Sequence, residues 1–154
     1  SALGVARLET ARAPDLADLD AMLEAIQNDL FDLGADLSTP EGGAEKIEWE
    51  PLRIVDAQVT RLERDIDALN ADLEPLRSFV LPAGTPAAAH LHLARALSRH
   101  AERRMVELSR KEGEIVSDPA MRFINRLSDF LFVAARWVNA RAGGDVLWKP
   151  GANR

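Results

Sequence analysis

Apolar residues recur at steps of three and four along most of the chain. Leu16, Leu19, Leu23, Ile26, Leu30 and Leu33 predict an amphipathic helix from Asp15 to about Leu33, with Pro14 where a first-turn proline is tolerated and Gly34 as its C-terminal stop. Ile54, Val59, Leu62, Ile66 and Leu69 predict another from about Leu52 to Leu73, closed by Pro75. Two longer helices follow, Ala87 to about Lys111 and Pro119 to Ala142, the second with Asp118 as N-cap and Gly143 and Gly144 at its end. Ser1 to about Arg12 also reads as helix but has no capped beginning. Leu37–Pro51 and Ser78–Pro86 collect prolines and glycines and read as loops. The tail after Gly144 is expected to be ordered by Val146, Leu147 and Trp148. No strand alternation competes. The pattern therefore predicts an all-α fold, an up-and-down bundle in one domain over residues 1–154. The small residues Ala87–Ala89 admit a close helix neighbour, within the chain or in another subunit.

Composition narrows the class. The 154 residues are 47% hydrophobic and 29% charged, enough apolar material for one core. A net charge of -6 argues against generic nucleic-acid binding but leaves room for a local basic pocket. No apolar run approaches the roughly 20 residues of a membrane span, and no secretory leader is visible. The chain has no cysteine, hence neither disulfides nor thiolate metal sites. Together these features point to a cytoplasmic protein without membrane or nucleic-acid partners.

Phe79–Arg104 carries the most specific chemistry. A Pro/Gly turn opens a helix on which Arg95, Arg99 and Glu102 fall at i, i+4 and i+7, on one face. Guanidinium groups stay charged and offer forked donors to phosphate oxygens, so the stripe suits a polyanion. A solvated face of ion pairs has the same spacing and is commoner. His90 and His92, two apart, point to different sides of a helix and read as packing residues. In FINRLSDFLF, Asn125 and Asp129 interrupt an apolar helix. They read as a satisfied buried hydrogen-bond network, or as a simple Arg126–Asp129 pair, the alternative being that Asn125 faces the same site as the arginines. Phe79, at the mouth of the loop, reads by composition as a core anchor, the alternative being a ligand platform. Asp29, Asp32 and Asp36 share a face; an exposed acidic stripe is commoner than a metal site. No P-loop, dinucleotide-type glycine fingerprint, nucleophile-elbow serine or zinc spacing occurs.

Four blocks in order carry a resemblance: IQNDLFDLGADLSTP (26–40), SFVLPAGTPAAAHLHLARALSRHAERR (78–104), FINRLSDFLFVAARWVN (123–139) and DVLWKPG (145–151). Together they resemble the ATP:cob(I)alamin adenosyltransferases of the propanediol-utilisation (PduO) type. The resemblance implies a five-helix bundle, here with its first helix truncated, assembled as a homotrimer with active sites between subunits. It implies transfer of the 5′-deoxyadenosyl group of ATP to Co(I) of cobalamin, with release of triphosphate and Mg²⁺ accompanying the nucleotide. On this resemblance Arg99 contacts ATP, Glu102 and Asn125 join it, and His100 and Arg103 lie on the ATP side. Arg95 pairs with an acid across the subunit interface, and Phe79 packs beneath the corrin ring, keeping the lower base off cobalt. A reductase and an adenosylcobalamin-dependent enzyme are the implied protein partners.

Two departures bear on these expectations. The family carries an upstream Thr/Gly-rich loop of TRTGDxG type that wraps the ATP phosphates, whereas this sequence opens at SALGVAR, resembling the middle of the family's first helix. An N-terminal ATP-binding segment is thus expected beyond Ser1, together with the acid that pairs with Arg95. Ala83 stands where the family usually has glycine. A non-catalytic carrier of corrinoid or nucleotide, which binds without releasing triphosphate, is the alternative from another functional class.

Overall fold

A computed structural model describes residues 1–39 and 50–154. The loop expected over Leu37–Pro51 falls mostly outside the described residues. The helices, in chain order, are α1 (Ala2–Thr10), α2 (Ala17–Ser38), α3 (Asp56–Asn70), α4 (Pro86–Ser109) and α5 (Asp118–Ala140), with a 3₁₀ turn at Pro14–Leu16 ahead of α2. This is the all-α five-helix bundle the periodicity predicts.

Helix α5 lies at the centre. Its Ala134–Asn139 stretch is buried on every side, the mark of a core helix. α4 and α3 pack against α5, while α1 lies on α4 and α2. The predicted apolar faces supply the core: Leu19, Leu23 and Ile26 of α2, Val59 and Leu62 of α3, and Phe123, Ile124, Leu127, Phe130 and Leu131 of α5 are almost fully buried. Ala87 and Ala88 are buried as well. Their burial within the chain shows that these two serve packing there.

Several boundaries differ for identifiable reasons. α2 passes through Gly34 to Ser38, because Asp36 is buried at its far end, where its carboxylate accepts hydrogen bonds from Arg53 Nη1 (2.8 Å) and Ile54 N–H (2.9 Å). Leu52–Val55 are not helical, with Val55 extended, so α3 begins only at Asp56. α5 is capped by Ser117, whose hydroxyl accepts from Ala120 N–H at 3.3 Å; Asp118 instead pairs with Arg122. α4 is capped by the Thr85 hydroxyl with Pro86 at its first position, an N-terminal signature legible in Thr-Pro itself.

Asp29, Asp32 and Asp36 of α2 do not form an exposed acidic stripe. Asp29 and Asp36 are each 5% exposed, and the row faces α3 and the segment leading into it. Arg61 pairs with Asp29, and Gln58 Nε2 reaches Asp29 Oδ1 (3.0 Å) and Asp32 Oδ2 (3.2 Å). These acids stitch two helices together across a polar seam.

Candidate active site

Helix α4 organises the site. Glu102 is largely covered and both of its carboxylate oxygens are engaged: Arg99 Nη1 donates to Oε2, and Asn125 Nδ2, from α5, donates to Oε1 at 2.9 Å. Glu102 therefore orients Arg99 at the surface and leaves most of the guanidinium donors free. Asn125 does face the arginine stripe, and Asp129 is not its partner; Asp129 pairs with Arg126 at 3.1 Å. Arg103 and His100, exposed and 3.4 Å apart, extend the basic face. The result is a local concentration of positive charge on a chain that is acidic overall.

One turn toward the start of α4 the surroundings change. Arg95 sits over Phe132, its Cζ 4.8 Å from the ring centroid, a cation–π geometry. Its Nε is buried and has no hydrogen-bond partner among the described residues. Arg95 and Phe132 line one side of a cavity of about 590 Å³; the 76–80 segment lines the other. His92 is buried behind, its ring 6.3 Å from that of Phe132. Burial, and then the neighbouring Arg95 charge, push its pKa down against the opposing pull of Asp145, so it packs as a neutral ring. Among the described residues no three His, Asp or Glu side chains converge on a metal-sized point.

Phe79 stands at the mouth of this cavity, 74% exposed. It is not the core anchor that composition favours; its neighbours do the anchoring. Ser78 Oγ donates to Trp148 O (3.0 Å), Trp148 N–H to Phe79 O (2.8 Å) and Leu81 N–H to Val146 O (2.8 Å), with an antiparallel bridge between Val80 and Leu147. The tail is therefore held by backbone hydrogen bonds to the loop, while Val146, Leu147 and Trp148 remain substantially exposed. The Trp148 ring meets the Phe79 ring edge to face at 5.8 Å.

The cobalamin adenosyltransferase family model matches residues 1–138. The chain belongs to the cobalamin adenosyltransferase family. It is 48% identical over 141 residues to the corrinoid adenosyltransferase of Mycobacterium tuberculosis, covering 92% of this chain and 70% of that protein. It is 41% identical over 153 residues to that of Bacillus subtilis, covering 99% and 75%. A variant PduO-type ATP:corrinoid adenosyltransferase from Lactobacillus reuteri, complexed with cobalamin and ATP, superposes with a TM-score of 0.83 at 33% identity, covering 97% of this chain and 77% of that one.

Within this adenosyltransferase fold, the predicted residues separate into two groups along α4 and the elements beside it. Arg99, Glu102 and Asn125 come together, with His100 and Arg103 beside them. Arg95 belongs with Phe79 at the cavity. Sequence reasoning passed over Asn139, which is 1% exposed. Its Nδ2 donates to Ala83 O (3.0 Å), while its Oδ1 accepts from Thr85 N–H (3.0 Å) and lies 3.4 Å from the Thr85 hydroxyl. Arg136, three residues earlier, donates to Asp145 (2.9 Å) and to Glu74 O (2.8 Å). Both fall in the quoted block 123–139, yet their partners are distant in sequence and no local pattern announces them.

Proposed function

We propose that this chain transfers the 5′-deoxyadenosyl group of ATP to Co(I) of cobalamin, with the triphosphate held at the Arg99 face and the corrin over Phe79. The observation that carries this reading is the juxtaposition on α4: an oriented, solvent-facing arginine lies one helical turn from a residue lining a cavity whose mouth holds an exposed phenyl ring. The complex of a family member with cobalamin and ATP supports it.

In the step itself, the Co(I) electron pair attacks the ribose C5′, a Co–C bond forms, and the C5′–O bond breaks with its electron pair leaving on triphosphate. No proton transfer is needed. The protein's contribution is alignment of the two substrates and stabilisation of the leaving oxygens, which Arg99, supported by Glu102, Asn125 and nearby Arg103 and His100, is suited to supply. Phe79 offers bulk without a donor atom. It excludes the lower base and water from cobalt, and so makes Co(II) easier for a one-electron donor to reduce. The described donor set is cationic around Arg99, with Glu102 already engaged. It fits a magnesium ion carried chiefly by the nucleotide phosphates, where the ion would neutralise phosphate charge.

The active assembly in this reading is a homotrimer with sites between subunits. The buried, unpartnered Nε of Arg95 supports an acid arriving from outside the described residues, and exposed Leu93 and Leu97 on α4 supply apolar surface for a neighbour. No described helix is long and apolar enough to cross a membrane, which accords with a cytoplasmic enzyme serving a reductase and an adenosylcobalamin-dependent partner. Anaerobic incubation of the full-length protein with Co(I)alamin and Mg-ATP is expected to yield adenosylcobalamin and triphosphate; formation of neither overturns the reading. Phe79→Ala is expected to impair adenosylation that starts from Co(II) far more than adenosylation of pre-reduced Co(I)alamin. Equal losses would remove that role from Phe79.

A further inference from the structure

Phe79 is exposed and cannot hold its own position, so something else must hold its loop. The tail bonds to residues 78–81 on one side. On the other side the only side chain joining the 83–85 turn to the core among the described residues is Asn139, and it does so from full burial. We infer that Asn139 is a positioning residue for the corrin half of the reaction: its carboxamide fixes the Ala83–Thr85 turn, and through that turn the place of Phe79 relative to the start of α4.

The geometry is specific to an amide. The turn presents a carbonyl at Ala83 and an N–H at Thr85, and the Asn139 amide meets the first as donor and the second as acceptor. Thr85 is also the N-cap of α4, its hydroxyl accepting from Ala88 N–H at 3.2 Å, so the same Asn139 side chain fixes the loop that presents Phe79 against the start of α4, while Arg99, roughly four helical turns further on, is held separately through Glu102 and Asn125. Gly84 sits between them at φ 113°, and a Cβ there would lie 2.2 Å from Asn139 Oδ1. The turn is therefore closed against the amide, with room for no side chain. α5 thus touches both half-sites, Asn125 holding Glu102 on the nucleotide side and Asn139 holding the turn on the corrin side.

This inference rests on the proposed role of Phe79, and the test separates the two. Full-length Asn139→Ala, Asn139→Asp, Gly84→Ala and Phe79→Ala proteins are compared by circular dichroism. Two readouts follow: the fraction of bound Co(II)alamin that has lost its axial nitrogen in the presence of ATP, by electron paramagnetic resonance, and turnover with pre-reduced Co(I)alamin. A displacement of the phenyl ring by about an ångström is expected to cut the base-free Co(II) fraction of Asn139→Ala by roughly tenfold or more, while Co(I) turnover changes by less than about threefold. Asn139→Asp keeps the acceptor for Thr85 but sets a buried carboxylate oxygen against the Ala83 carbonyl, and is expected to lose at least as much as Asn139→Ala. Gly84→Ala, which pushes on the same contact from the turn, is expected to follow Asn139→Ala. Should Asn139→Ala not fold, the Asn139→Asp and Gly84→Ala proteins decide by the same two readouts. A wild-type Co(II) signal in folded Asn139 variants, or equal losses with both cobalt states, overturns the inference while a defective Phe79→Ala leaves the Phe79 role standing. A wild-type signal in Phe79→Ala overturns both.

Discussion

Glu102 shows how a single residue assigns roles to its neighbours. With one oxygen on Arg99 and the other on Asn125, its charge is spent on orientation rather than on solvent. Arg99→Ala is accordingly expected to lower kcat/KM for ATP by roughly 10²–10³-fold with pre-reduced corrinoid, the scale of losing one preorganised donor to a developing anion. Arg99→Lys is expected to recover little of it, because an ammonium cannot both grip Glu102 and present a fork to phosphate. Asn125→Ala removes only the second support of Glu102, so the expected effect is about tenfold, chiefly in KM for ATP. Steady-state kinetics at saturating Co(I)alamin distinguishes these outcomes. A full loss in Asn125→Ala would mean that Asn125 contacts nucleotide directly.

Between elements, polar seams do work that apolar periodicity does not announce. Leu16 through Leu33 marked α2 and its buried face, since burial of every third or fourth residue leaves a one-dimensional trace. Asp29, Asp32 and Asp36 leave the same trace whether they meet water or α3; what separates the cases is Arg53, Gln58 and Arg61, which arrive only after an intervening loop. Asp29→Ala strands Arg61 and is expected to cost about 3–5 kcal/mol in chemical denaturation. A second seam joins α1 to α2, where Arg7 donates two hydrogen bonds to Asp20 (3.1 and 2.8 Å) and the Thr10 hydroxyl a third (2.7 Å). The Arg7 hydrogen bonds hold the Asp20 pKa below its ordinary value against the opposing effect of burial, with help from Thr10. The sign follows. A depressed folded pKa contributes stability that is complete above the unfolded carboxyl value of about 4, and that is lost as pH falls through the folded value. Asp20→Asn is thus expected to lower stability by about 1–3 kcal/mol at pH 7 and by progressively less below about pH 4, read from urea midpoints across pH.

At the scale of the molecule, the two half-sites differ in how far the chain alone discloses them. The Arg99–Glu102 pair is local, three residues apart on one helix, and was legible as spacing. The proposed corrin half is assembled from the 76–80 segment, Arg95, Phe132, Asn139 and the tail, with contacts spanning more than fifty residues, which no local period encodes. Even so, the described chain leaves the site open: Arg95 Nε is buried without a partner, and Leu93 and Leu97, one helical turn apart on the same helix, are 53% and 52% exposed. Apolar stripes of this kind are stabilised by a neighbour, and binding confined to the folded state makes stability depend on concentration. On the homotrimer proposed above, the full-length protein is expected to sediment at three times its monomer mass and to melt at higher temperature as its concentration is raised a hundredfold. Leu93→Asp, which places a charge in the stripe without touching the Arg99–Glu102 pair, is expected to shift the sedimenting species toward monomer and to lower specific activity most at low protein concentration. A monomeric wild-type protein whose melting temperature ignores concentration would remove the shared site, and would require the partner of Arg95 to come from the same chain.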